Sequence, residues 1–148
     1  MLLSGMDSMD MLDENLRIAG EAEPESLTER DFELFDRARA LIAEYTKVPC
    51  TACGYCEPCP HGVDIPMCFA SLNDISIEGK FHAWTKYLTY TSMTAKPTSA
   101  SLCVKCGACE AHCPQGIAIC DNLDNVKRAF EGPIYKPIRY VIKKLMRL

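Results

Sequence analysis

Apolar residues recur at helical spacing along most of this chain. Leu27, Phe32, Phe35, Ala38, Leu41, Ile42 and Tyr45 share one face of a helix predicted from about Leu27 to Thr46. Ser26-x-x-Glu29 forms a capping-box pattern at its start, and Pro49 stops it. Before it, Met11, Leu12, Leu16 and Ile18 predict a shorter helix capped from Asp7-Ser8, with early acids that suit its dipole. Met1 to Gly5 reads as a strand leading into a loop, and Gly20 to Pro24 as a linker. Downstream, helices are predicted from about Met67 to Asn73, Gly79 to Met93 and Asp121 to Phe130. In the second of these, Phe81, Trp84, Tyr87 and Leu88 are expected to turn inward. Gly132-Pro133 breaks the pattern before a basic amphipathic helix, Tyr135 to Leu148. There Ile138, Ile142, Leu145 and Met146 oppose Lys136, Arg139, Lys143, Lys144 and Arg147. The predicted class is mostly α with little β.

Between the helices lie two blocks of cysteine. The first is Cys50-x2-Cys53-x2-Cys56-x2-Cys59-Pro60, and the second is Cys103-x2-Cys106-x2-Cys109-x3-Cys113-Pro114. Each is followed by a repeat, Cys59-Pro-His-Gly-Val-Asp-Ile65 against Cys113-Pro-Gln-Gly-Ile-Ala-Ile119. The two blocks therefore read as halves of one pseudo-symmetric module, like that of dicluster ferredoxins. A [4Fe–4S] cube needs one thiolate per iron, and a Cys-x2-Cys-x2-Cys loop brings three sulfurs to three corners while its N–H groups face the cluster. Gly54 and Gly107 occupy matching places where backbone approaches closely. In two-cluster ferredoxins the last cysteine of each block ligates the other cluster. That rule gives Cys50, Cys53, Cys56 and Cys113 for one cluster, and Cys103, Cys106, Cys109 and Cys59 for the second. The competing metal is zinc, but zinc sites favour separated Cys-x2-Cys pairs rather than triplets closed by Cys-Pro. The first block is one residue short of the usual x3 before its Cys-Pro. Cys68 and Cys120 are left over, as buried thiols or spare ligands. His112 stands beside Cys113, while His61 and His82 carry no motif. Tyr55 and Trp84 are read chiefly as packing residues.

Charge adds one feature. The net value is −4, which argues against non-specific nucleic-acid binding. Residues 1–49 carry 12 acids and 5 bases, whereas residues 127–148 carry 1 acid and 7 bases. The tail is read as a solvated, partly packed helix, then as a docking element, then as a membrane-surface helix. No run reaches the ~18 apolar residues of a membrane span, and the first twelve residues lack a basic signal region. Ten cysteines without an export signal read as metal ligands in a reducing cytoplasm.

The stretches Cys50-Thr-Ala-Cys-Gly-Tyr-Cys-Glu-Pro-Cys-Pro-His-Gly-Val-Asp-Ile-Pro66 and Cys106-Gly-Ala-Cys-Glu-Ala-His-Cys-Pro-Gln115 resemble the C-terminal end of the iron–sulfur oxidoreductases of the aldo/keto reductase superfamily. Leu3-Ser-Gly-Met6, Glu14-Asn15 and the Asn73 region add to the likeness. The resemblance implies a (β/α)8 barrel followed by a ferredoxin-like module. Residues 1–24 would be the remnant last strand and helix of the barrel, 25–48 a connecting helix, 49–131 the dicluster domain and 132–148 the basic helix. It also implies that Ser4, Gly5, Ser8, Glu14 and Asn15 correspond to positions that hold the adenosine end of NADP, which would bind only where a complete barrel is present. A barrel takes ~250 residues, so this chain has room for one of the eight βα units, and the family's catalytic residues have no counterpart in it. The expected function is electron transfer to or from a redox partner or an upstream barrel domain. The competing expectation is a structural or docking piece that its clusters staple together.

Overall fold

The structure is a computed structural model describing residues 5–23 and 26–146. The described residues form helices and loops and contain no strand. The strand expected at Met1 to Gly5 lies outside them apart from Gly5, which is irregular. The chain divides into two compact units, residues 1–40 and 41–148.

The first unit holds α1 (Met9–Glu21) and most of α2 (Glu29–Tyr45). Ser8 caps α1, its Oγ accepting the Met11 N–H at 3.3 Å. The helix runs through Gly20, which the sequence placed in a linker; Arg17 pairs with Glu21 one turn on at 2.8 Å and supports the extra turn. The cap of α2 also differs from expectation. Thr28, not Ser26, closes its N-terminus: the Thr28 N–H and Oγ1 both donate to Asp31 Oδ2, at 2.8 and 2.7 Å. Asp31 thus does what Glu29 was expected to do, and those bonds hold its carboxyl below the usual carboxylate range. No described residue of α1 or α2 is buried.

The second unit is built on α3 (Ile65–Ile77), α4 (Lys80–Tyr87) and α6 (Ile119–Phe130). On α3, Ile65, Cys68, Phe69 and Leu72 follow the i, i+3, i+4, i+7 rule and are buried. On α6, Ile119, Leu123, Val126 and Phe130 are buried at i, i+4, i+7 and i+11, again one helical face. Both helices start earlier than predicted. Asp64 Oδ1 caps α3 by accepting the Met67 N–H at 2.9 Å, and Pro66 sits in the first turn, where no N–H is needed. Ala83 and Tyr87 define the inner face of α4, which leaves Phe81 on the opposite side, 78% exposed rather than inward. Leu88–Ser92 continue α4 as a π-helical turn closed by Met93 N–H to Leu88 O at 2.9 Å. Thr89 and Thr91 hydroxyls donate to the Thr85 and Tyr87 carbonyls, which bends the ladder there. A single 3-10 turn, Ala100–Leu102, leads into the second cysteine block, and the four-residue helix α5 (Ala108–Ala111) lies inside it.

Tyr135 opens α7 (Tyr135–Met146) and is buried, its hydroxyl 2.6 Å from Ser92 Oγ. Ile138 packs against the core. The start of the basic helix is therefore anchored. Of the residues expected on its two faces, Ile142, Lys143, Leu145, Met146 and Arg147 lie outside the described side chains. No helix among the described residues is long and apolar enough to cross a membrane.

Candidate metal centre

The two cysteine blocks fold as repeats of one loop. In the first, Ala52 and Gly54 have φ of +53° and +78°; in the second, Lys105 and Gly107 have φ of +59° and +75°. Alternating left-handed residues curl each loop and turn its N–H groups inward. Ala52 N–H donates to Cys50 Sγ at 3.5 Å, and Lys105 N–H donates to Cys103 Sγ at 3.4 Å. Gly62 and Gly116, at φ of +77° and +61°, close the matching Cys-Pro turns, with N–H bonds to Cys59 O and Cys113 O at 2.9 and 3.1 Å. The glycines answer a backbone requirement: an added Cβ at Gly54 or Gly107 would meet no protein atom, but its φ favours glycine. The halves differ between the third and fourth cysteines. The longer spacer of the second block forms α5, whereas the first has a cis Glu57–Pro58 bond.

Each loop is held by a residue distant in sequence. Asn73 on α3 clips the chain just before Cys50: Val48 N–H donates to Asn73 Oδ1 at 2.9 Å, and Asn73 Nδ2 donates to Val48 O at 2.8 Å. Val48 itself is 1% exposed, and the Cys50 N–H returns to Val48 O at 2.8 Å. In the second half, Lys105 Nζ lies 2.5 Å from Asp124 Oδ2 on α6, and Lys127 holds the other oxygen at 3.1 Å. Glu110 Oε1 accepts the Cys120 N–H at 2.8 Å, tying α5 to the first turn of α6. Sequence pattern predicts neither clip. The one visible signal was a polar Asn73 inside the apolar run of α3.

One group of four cysteines shares a cavity. Cys50, Cys53 and Cys56 line one cavity together with Cys113 from the second block. Its apolar wall comes from both halves: Ile65 and Phe69 from one, Ile117 and Ile119 from the other. Pro58 and Pro60, which flank Cys59, line a cleft with Cys56, Cys109 and His112. Cys50, Cys56, Cys59, Cys103, Cys109 and Cys113 all pack half-buried on the core, while Cys53 and Cys106 are exposed. Among the described residues, no three His, Cys, Asp or Glu side chains converge as a single metal ion requires. The four thiols at the first cavity match in number the one thiolate per iron that a [4Fe–4S] cube takes.

Burial pushes the Cys56 and Cys109 thiols up, so these two sulfurs favour the protonated form until a cation replaces the proton. Cys68 is wholly buried beside Tyr87, and desolvation pushes its thiol far up. Cys120 is half-buried, and burial raises its thiol to about 11. Tyr55 is 69% exposed, and His82 is an exposed partner of Glu78 at 3.3 Å. Trp84 is half-buried, its Nε1 donating to Phe130 O at 3.1 Å.

The residues matched to an NADP position fall in the first unit. Ser4 lies outside the described residues, Gly5 and Glu14 are exposed, Asn15 is half-buried, and the Ser8 hydroxyl caps α1. Comparison with curated proteins and with solved structures finds no match to the chain. A family model does match part of it: residues 49–118, which contain all eight motif cysteines, match the 4Fe-4S dicluster domain.

Proposed function

We propose that this chain transfers electrons through two [4Fe–4S] clusters, one held by Cys50, Cys53, Cys56 and Cys113 and the second by Cys103, Cys106, Cys109 and Cys59. The observation that carries the first assignment is the cavity shared by Cys113 and the first cysteine triplet. The pseudo-symmetry of the two loops extends it to the second. A bound cube supplies one-electron chemistry. The chain's part is to hold the thiols, to aim the Ala52 and Lys105 N–H groups at ligand sulfur, and to exclude water with Ile65, Phe69, Ile117 and Ile119. The resemblance of residues 3–15 and of the cysteine stretches to aldo/keto reductase-type oxidoreductases supports a barrel domain as the electron partner, with NADP bound only there.

Iron and acid-labile sulfide in anaerobically purified protein test the cofactor; about eight of each per chain are expected, four per cluster. Zinc, or four irons, refutes the assignment. Potentiometry tests the function. Clusters that cycle reversibly support electron transfer, and clusters that disintegrate on reduction leave only a structural staple.

A further inference from the structure

An open groove of about 740 Å³ lies on the second unit between the start of α4 and the turn that follows α6. Phe81, Trp84, Phe130 and Ile134 give it an apolar wall, and Lys80 and Arg128 also line it. Phe81 and Trp84 present rings stacked at 6.5 Å and 29°. Phe81 and Ile134 are 78% and 63% exposed, a large apolar investment at a solvent face. Among the described residues, no acid lines the groove and neither Lys80 nor Arg128 forms an ion pair. Arg128 donates to Asn125 Oδ1 at 3.3 Å. Stacked rings beside two uncommitted cations suit a flat π-system bearing negative charge. The size lies within the ~300–1,000 Å³ of small-molecule sites.

We propose that this groove binds a planar aromatic redox carrier with an anionic group, of the flavin mononucleotide kind. The ring would lie on Phe81 and Trp84, with the anion between Lys80 and Arg128. A redox carrier is chosen over other aromatic anions because the groove connects to the second cysteine block. Trp84 Nε1 bonds to Phe130 O at 3.1 Å, and the Phe130 ring stacks on Tyr87 at 4.9 Å. The Tyr87 hydroxyl accepts the Ala100 N–H at 2.9 Å, and Ala100 O accepts the Cys103 N–H at 3.1 Å. The redox role rests on the electron-transfer reading above; the binding of an aromatic anion does not.

Equilibrium dialysis of the anaerobic, cluster-loaded full chain against flavin mononucleotide and riboflavin tests it. One flavin mononucleotide per chain is expected, with riboflavin, which lacks the phosphate, about tenfold weaker or more. Lys80→Glu with Arg128→Glu should weaken flavin mononucleotide to the riboflavin level and leave riboflavin unchanged. Phe81→Ala should weaken both. These side chains are exposed, so iron content should stay at the wild-type value. No binding of either flavin at millimolar concentration, or binding that ignores both variants, overturns the proposal. Iron and sulfide assayed on the same samples keep the readings apart. Flavin binding without iron retains the groove and removes the clusters, and iron without flavin binding does the reverse.

Discussion

Replacing Asn73 with Ala should release the first cysteine loop and leave the second intact. Asn73 makes two hydrogen bonds to the backbone of Val48, which is buried two residues before Cys50. Its amide imitates a β-bridge, with one donor and one acceptor facing their complements. Each bond contributes about 0.5–1.5 kcal/mol net, so the pair should be worth about 1–3 kcal/mol of local stability. At about 1.4 kcal/mol per factor of ten, the loop should open about 5- to 140-fold more often. The assay is anaerobic transfer of iron to a chromogenic chelator. Wild-type release should be slow for all the iron. In Asn73→Ala the half held with Cys50 should leave faster by that factor, and the other half should keep the wild-type rate. Asn73→Asp should be at least as damaging, because it sets a carboxylate oxygen against the Val48 carbonyl. A single phase at the wild-type rate would show that the clip does not govern Cys50. Equal acceleration of all the iron would show that it acts through the whole fold.

Three other perturbations separate local effects from shared ones. Cys59→Ser should damage the cluster assigned to Cys103, Cys106 and Cys109; Mössbauer or EPR spectra that show the other cluster lost would end the exchanged ligation. Tyr87→Phe removes a buried hydroxyl that accepts from Ala100 N–H and donates to Glu131, and should destabilise the second unit by about 1–3 kcal/mol in denaturant titration; a change under about 0.5 kcal/mol refutes that role. Asp124→Asn should speed loss of the Cys103 cluster at neutral pH. Lys105 and then Lys127 hold the Asp124 carboxyl below its ordinary 3.8, so its contribution is present above that pH and fades as pH falls through the lowered value. The difference between variant and wild type should therefore vanish in acid, and a difference that persists at all pH values would refute the ionic clasp.

The legible parts of the fold were those with a dense local signal. The helices expected at Met67 to Asn73 and Asp121 to Phe130 are present as α3 and α6, but each begins two residues earlier, at Ile65 and Ile119, the first buried position of its helix. Helix ends were less legible. Two near-equivalent capping patterns overlap at Ser26 to Asp31, and the choice of Thr28 depends on which carboxylate reaches a backbone N–H. Phe81 differs for a related reason: its size predicts an inward position, but Ala83 and Tyr87 already fill the inner face of a two-turn helix. The site divides in the same way. Cysteine spacing is local and legible in the sequence alone. The Asn73 clip spans 25 residues, and the Lys105–Asp124 contact depends on how α6 packs, so no window of sequence contains either.

The repeat also accounts for how so small a unit would organise the two proposed sites. Ile65 and Ile119 each stand six residues after the fourth cysteine of their block, and each opens a core helix. Cys59 is therefore set by α3 and Cys113 by α6, while the triplets are curled by their own left-handed residues. Each triplet supplies three thiols that local backbone geometry alone can place. The fourth must come from a part of the chain whose position depends on the core. Under exchanged ligation, that fourth thiol comes from the opposite half, so neither site is complete until α3 and α6 have packed together. The cavity of the first triplet has this dependence built into its wall, where Ile65 and Phe69 face Ile117 and Ile119. Cluster assembly and core packing then become one event. Loss of a core contact such as Phe69 should reach both sites, whereas loss of a loop clip such as Asn73 should reach only one.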